Sequence, residues 1–126
     1  MRWVAALLIL AACSGAGNSK RATLEYKARC PLRIEEGKEF YKVPPMIEES
    51  GKIEVYNDSI LFSSGDSSYV VHILSFSGRD DMSHIIGRKE DGQAVVFLLQ
   101  RNADLGYEAC ILTGDGGQYF DIKSVQ

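Results

Sequence analysis

From Thr23 to Ile34 the residues take strict turns. Leu24, Tyr26, Ala28, Cys30, Leu32 and Ile34 alternate with Thr23, Glu25, Lys27, Arg29, Pro31 and Arg33. A period of two sends alternate side chains to opposite faces of a strand. One face here is apolar and the other charged, so the stretch predicts a half-buried antiparallel strand beginning near Ala22. Pro31 has no N–H to donate to a ladder and marks an edge, bulge or break.

The remainder is punctuated in the same style. Lys38 to Val43 reads as a short strand that Pro44-Pro45 stops, and Ile47 to Glu49 as a single helical turn ended by Gly51. Strands follow over Lys52 to Tyr56, Ser59 to Ser63, Ser68 to Ser77 and Met82 to Lys89. Asp91-Gly92 is a hairpin signal. Ala94 to Gln100 is apolar on both faces and predicts a central strand, with Tyr107 to Thr113 and Gln118 to Lys123 completing the set. Turn signals recur about every 8–14 residues, the spacing of a sandwich or barrel. Nearly every connection is a tight hairpin, so the prediction is an all-β, up-and-down antiparallel meander of about eight strands. A meander removes its exposed edges by closing on itself, into a barrel or barrel-like sandwich.

Before this domain stand Met1, Arg2, an apolar run from Trp3 to Ala12, and Cys13. One basic residue and a short apolar run make an export signal, shorter than the roughly 20 residues of a membrane-spanning helix. Leu10-Ala11-Ala12-Cys13 resembles the lipobox of bacterial lipoproteins. That resemblance implies a signal peptide over 1–12, a lipidated (palmitate-bearing) Cys13, a tether over 13–21 and one β domain over 22–126. It also implies a place in the bacterial cell envelope, anchored to the membrane through the N-terminal lipid. Ser14, where an aspartate often retains such proteins at the inner membrane, points to the outer membrane, facing the periplasm.

Composition narrows the partners. The chain has 126 residues, suited to one domain, and a net charge of −3. An acidic balance argues against a nucleic-acid partner. Of the three cysteines, Cys13 goes to the lipid, which leaves Cys30 and Cys110. In an oxidising compartment an even pair reads as a disulfide. Closing so long a loop would stabilise the fold by about 4–5 kcal/mol in the chain-entropy description; two buried free thiols are the other reading.

Motifs for chemistry are sparse. His72 and His84 are the only histidines, and no spacing suits a zinc site. His72, on a face with Val70, Leu74 and Phe76, reads as a core or cavity histidine. Ser75, Ser77 and Ser83 lack a nucleophile elbow. Neither the turn at Gly114 to Gly117 nor that at Gly78 to Asp81 has the order of a calcium loop. The six tyrosines suit sheet packing or a binding face. The expectation is therefore a non-enzymatic, cofactor-free protein-binding module with a partner in the envelope. Lipoprotein inhibitors of lysozyme share this architecture, so inhibition of a cell-wall hydrolase is one form of it. A lipocalin-like carrier of a small ligand is the alternative. Phe62, Phe76, Phe97 and Leu99 facing inward would plug such a barrel. Candidate recognition loops lie remote from the tether: Pro31 to Gly37 first, then Gly78 to Asp81, with Arg79, Asp80 and Asp81, and Gly114 to Gly117.

Overall fold

The computed structural model describes residues 19–34, 40–79, 82–102, 106–114 and 116–126. The segment read as signal peptide, Cys13, most of the tether, Asp80 and Asp81 lie outside the described residues. So do 35–37 of the Pro31–Gly37 loop and Asp115.

Among the described residues, nine antiparallel strands make one sheet. They are β1 (Lys20–Ile34), β2 (Phe40–Lys42), β3 (Ile47–Tyr56), β4 (Ser59–Ser64), β5 (Ser67–Arg79), β6 (Met82–Lys89), β7 (Ala94–Asn102), β8 (Gly106–Leu112) and β9 (Gly116–Val125). Each pairs with its successor from β3 to β9, and β9 returns to β1. The result is an eight-stranded barrel with β2 as one extra strand, as the turn spacing predicts.

β2 and β3 lie end to end along one edge of β1. Leu32 to Ile34 pair with β2, and residues from Lys20 to Arg29 pair with β3. Between them sit Pro44 and Pro45, joined by a cis peptide bond. Prolines offer no N–H, so the ladder lapses there. Val43 still donates to the Pro31 carbonyl at 2.9 Å. Ile47 to Glu49, predicted as a helical turn, are instead the start of β3. Pairing with β1 outweighs the weak local preference of three residues.

This geometry sets strand direction. The chain does not reverse between β2 and β3, so the two count as one step. The β1–β2, β4–β5, β6–β7 and β8–β9 connections share the end remote from Lys20. The β3–β4, β5–β6 and β7–β8 connections lie at the Lys20 end.

The interior is filled. Leu24 pairs with Ile53, Ile53 with Phe62, Ile85 with Phe97 and Phe97 with Ile111. All of these side chains belong to one buried cluster, together with Leu99, Phe120 and Ile122. Phe97 meets Phe62 edge-on, with centroids 5.8 Å apart, and Phe120 lies 5.9 Å from Phe62. Phe76 packs against the cluster from its margin.

The alternation of β1 conceals an irregularity. Its register with both neighbours shifts between Tyr26 and Ala28, and Lys27 has no partner on either side. Leu24 and Tyr26 join the interior cluster. Beyond the shift, Arg29 pairs with inward-facing Phe120, while Cys30 pairs with Tyr119 on the outside. Ala28, Cys30 and Leu32 are buried yet absent from the interior cluster. A bulge residue moves every later side chain to the other face. A second shift, between Ile73 and Ser75, leaves Leu74 exposed and turns Phe76 inward. His72 lies outside and exposed, which corrects its reading as a core or cavity histidine.

Candidate functional site

Because β1 turns its apolar residues outward in its second half, the barrel wall carries apolar side chains on both faces there. One outer row follows the register Cys30–Tyr119–Cys110–Leu98–His84. The row beside it runs Leu32–Gly117–Leu112–Val96–Ile86. Gly117 sits between Leu32 and Leu112 without a side chain. A Cβ at Gly117 would collide with the Ile111 carbonyl oxygen.

From these rows Tyr119, Cys110, Leu98 and Leu32 floor a groove of about 390 Å³. It starts at the end remote from Lys20, between Leu32, Tyr41 and Lys42, and crosses β9 and β8 to Leu98 and Gln100. Along β1, Leu32 lies roughly 35–40 Å from Lys20 at the usual strand rise.

Tyr119 organises the floor. Its hydroxyl donates to Glu108 Oε1 at 2.6 Å. Lys42 Nζ sits 4.1 Å above its ring centre, a cation–π position. Burial, then the hydrogen bond to Glu108, holds the Tyr119 phenol well above the usual tyrosine range. Burial and the neighbouring Glu108 charge push the Cys110 thiol up to about 11. A thiol so raised is protonated at neutral pH and is a poor nucleophile. The groove can therefore receive apolar side chains and satisfy one charge of each sign at its rim.

The expected Cys30–Cys110 disulfide is not present; both cysteines are free and buried. Cys30 and Cys110 face Tyr119 from opposite sides, on β1 and β8. Two strand spacings separate their backbones by about 9–10 Å, whereas a disulfide spans Cα atoms about 4.4–6.8 Å apart. The pairing logic counted cysteines, but the register inserts a tyrosine between them.

The other sequence candidates scatter. Arg79 pairs through its backbone with Met82 at the Lys20 end of the barrel, not the remote end. The reason is the uninterrupted course of β2 and β3, which removes one reversal before it; the Gly78 and Gly114 turns, three strands apart, lie at opposite ends of any such meander. Pro31 to Ile34 and the Gly114–Gly117 turn do lie at the remote end. His84 continues the Cys110–Leu98 row, and His72 stands apart on β5. Among the described residues no group of three or more His, Cys, Asp or Glu could hold a metal ion.

The outer groove escaped sequence reading, though a signal was present. In both Ala94–Gln100 and Ala109–Leu112 consecutive residues are apolar. Such runs report burial on two faces without saying that one is the outside of a barrel. Compared with known proteins, the chain matches no family model, no curated protein and no solved structure.

Proposed function

We propose that the protein is a membrane-tethered binding module of the bacterial envelope whose partner seats in the outer groove. The observation that carries this reading is where apolar surface lies. The barrel core is closed by its own side chains, while a second apolar surface faces outward. Contiguous outward apolar surface with a polar rim is the usual mark of a protein interaction site.

The partner's chemistry follows from the lining. Lys42 and Glu108 flank an apolar floor, so the fitting occupant is a protein segment with large apolar side chains flanked by one charge of each sign. The groove begins at the end remote from Lys20, so a tether before β1 leaves it accessible. Inhibition of a cell-wall hydrolase is one activity such contact would produce. The filled interior weighs against a carrier of an enclosed ligand.

A photo-crosslinking residue placed at Leu98 in the full chain, expressed in cells, tests the groove. The expected result is one discrete adduct that is absent when the same residue is placed at exposed Lys52 and lost on Leu32→Asp. Equal adducts from both positions, or none from Leu98, overturn the reading. The anchor is tested separately by labelled palmitate. Uptake should be abolished in Cys13→Ser, and persistent label in that variant excludes lipidation at Cys13.

A further inference from the structure

A second concavity opens into the remote end of the barrel, on its inner face. Its volume is about 260 Å³, just below the roughly 300–1,000 Å³ of sites for drug-sized ligands. It holds one ring and little more.

Its origin lies in the same bulge. After Lys27, β1 supplies Arg29 to the inner face where an apolar residue would continue the core. The neighbouring inward positions are Glu49 on β3, Ser64 on β4, Ser67 on β5 and Gln118 on β9. The layer above Phe62 and Phe120 is thus small and polar, and aromatic rings floor a pocket with polar walls.

The walls are organised before any ligand arrives. Arg29 Nε donates to Glu49 Oε2 at 2.7 Å, and Arg29 Nη1 to Gln118 Oε1 at 3.2 Å. The Tyr26 hydroxyl donates to Glu49 at 3.2 Å. Tyr69 stacks on Phe62 with centroids 4.6 Å apart and planes 8° from parallel. Among the described residues of the lining only Arg29 and Glu49 are charged, and they pair with each other; Lys89 Nζ stands outside the lining, 5.4 Å from the Tyr69 ring centre.

Each feature removes a ligand class. A neutralised ion pair gives no net attraction for an anion or a cation. A wholly apolar ring would cover the donor and acceptor capacity that remains after these pairings without replacing the water it displaces. What remains is a neutral ring carrying several hydroxyls, with C–H faces for the aromatic floor. Planar, paired donors and acceptors suit adjacent hydroxyls because they fix two hydrogen bonds at once.

We propose that the barrel mouth binds a single pyranose, presented either as a free sugar or as the end of a glycan. This site does not depend on the outer groove. Burial pushes the Tyr69 phenol up to about 12, so it stays a hydroxyl donor across the working pH range.

The test is saturation-transfer NMR on the full chain in detergent. The probes are N-acetylglucosamine, glucose and the β-1,4 tetramer of N-acetylglucosamine, with cyclohexanol and benzoate as apolar and anionic ring controls. The expected result is transfer to pyranose ring protons, with less than a tenth of that to either control. Transfer confined to one terminal residue of the tetramer identifies a glycan end. Transfer to the monosaccharides alone identifies a free sugar. Gln118→Leu and Arg29→Lys should each weaken binding at least tenfold, and Leu98→Ala in the outer groove should leave it unchanged. The proposal fails if no pyranose shows transfer, if cyclohexanol binds as well, or if both pocket variants are folded by circular dichroism and bind like the parent.

Discussion

The two halves of β1 share one alternating rhythm and serve opposite faces of the wall. In the first half, Leu24 and Tyr26 enter the barrel core. In the second, Leu32 floors the outer groove, Cys30 pairs with outward Tyr119, and Arg29 takes the inward place. Composition does not separate the halves; a single unpaired residue does. The lesson is that alternation reports which residues share a face, while a bulge decides which face that is.

Deleting Lys27 removes the residue that separates the two halves. Deletion should turn Cys30 and Leu32 inward and throw Arg29 out, against a core already filled. The expected outcome is loss of the cooperative unfolding transition in denaturant. Lys27→Ala should shift stability by no more than about 0.5 kcal/mol, because the side chain is exposed and its 3.9 Å pairing with Asp121 is weak. A folded deletion variant would show that the bulge does not set the faces.

Adjacent residues on β7 give the next largest contrast. Phe97 is fully buried at the centre of the aromatic cluster, so Phe97→Ala should cost about 3–5 kcal/mol. Leu98 faces the groove and is only partly buried. Leu98→Ala should cost about 1 kcal/mol, since much of its surface already meets water. Chemical denaturation at matched slopes measures both. Equal losses would mean that the groove is as much a part of the core as the interior.

The cysteines sharpen the comparison without disturbing it. In the folded chain at pH 8 the Cys110 thiol, raised to about 11, is only about one-thousandth thiolate and should resist iodoacetamide for hours. After unfolding without reductant, both Cys30 and Cys110 should alkylate fully, as read by peptide mass spectrometry. Recovery of a Cys30–Cys110 linked peptide would contradict the register.

The smallest effect is acid sensitivity at the mouth. The Arg29 hydrogen bond holds the Glu49 carboxyl below its usual range. A depressed carboxylate stabilises the fold above the unfolded pKa, and that contribution is lost as pH falls through the folded value. The pair is about one-third exposed, so the loss between about pH 5 and 3 should stay below about 1 kcal/mol. Glu49→Gln should flatten that part of the stability profile. An unchanged profile would mean that the ion pair adds nothing to folding.

Much of the fold was legible because β structure writes its period directly into the chain. The β1 alternation, the Asp91-Gly92 turn and the two-sided apolar run of β7 each follow from local chemistry. The candidate site was much less so. Leu98 and Cys110 are far along the chain from Leu32 and Lys42, and Arg29 looks like one more solvated charge until Glu49 and Gln118 are brought to it. The predicted disulfide failed for the same reason, since counting thiols says nothing about what stands between them.

Short antiparallel strands joined by hairpins, and the residues that alternate along each, are written in the local order of the chain. Three features arise from strand pairing across the barrel: the end at which each turn lies, the face each half of β1 presents, and the insertion of Tyr119 between two cysteines. The physical reason is that period and turn chemistry act over a few residues. Register, bulges and closure are settled by pairing between strands distant in the chain, where a shift of one residue exchanges inside for outside.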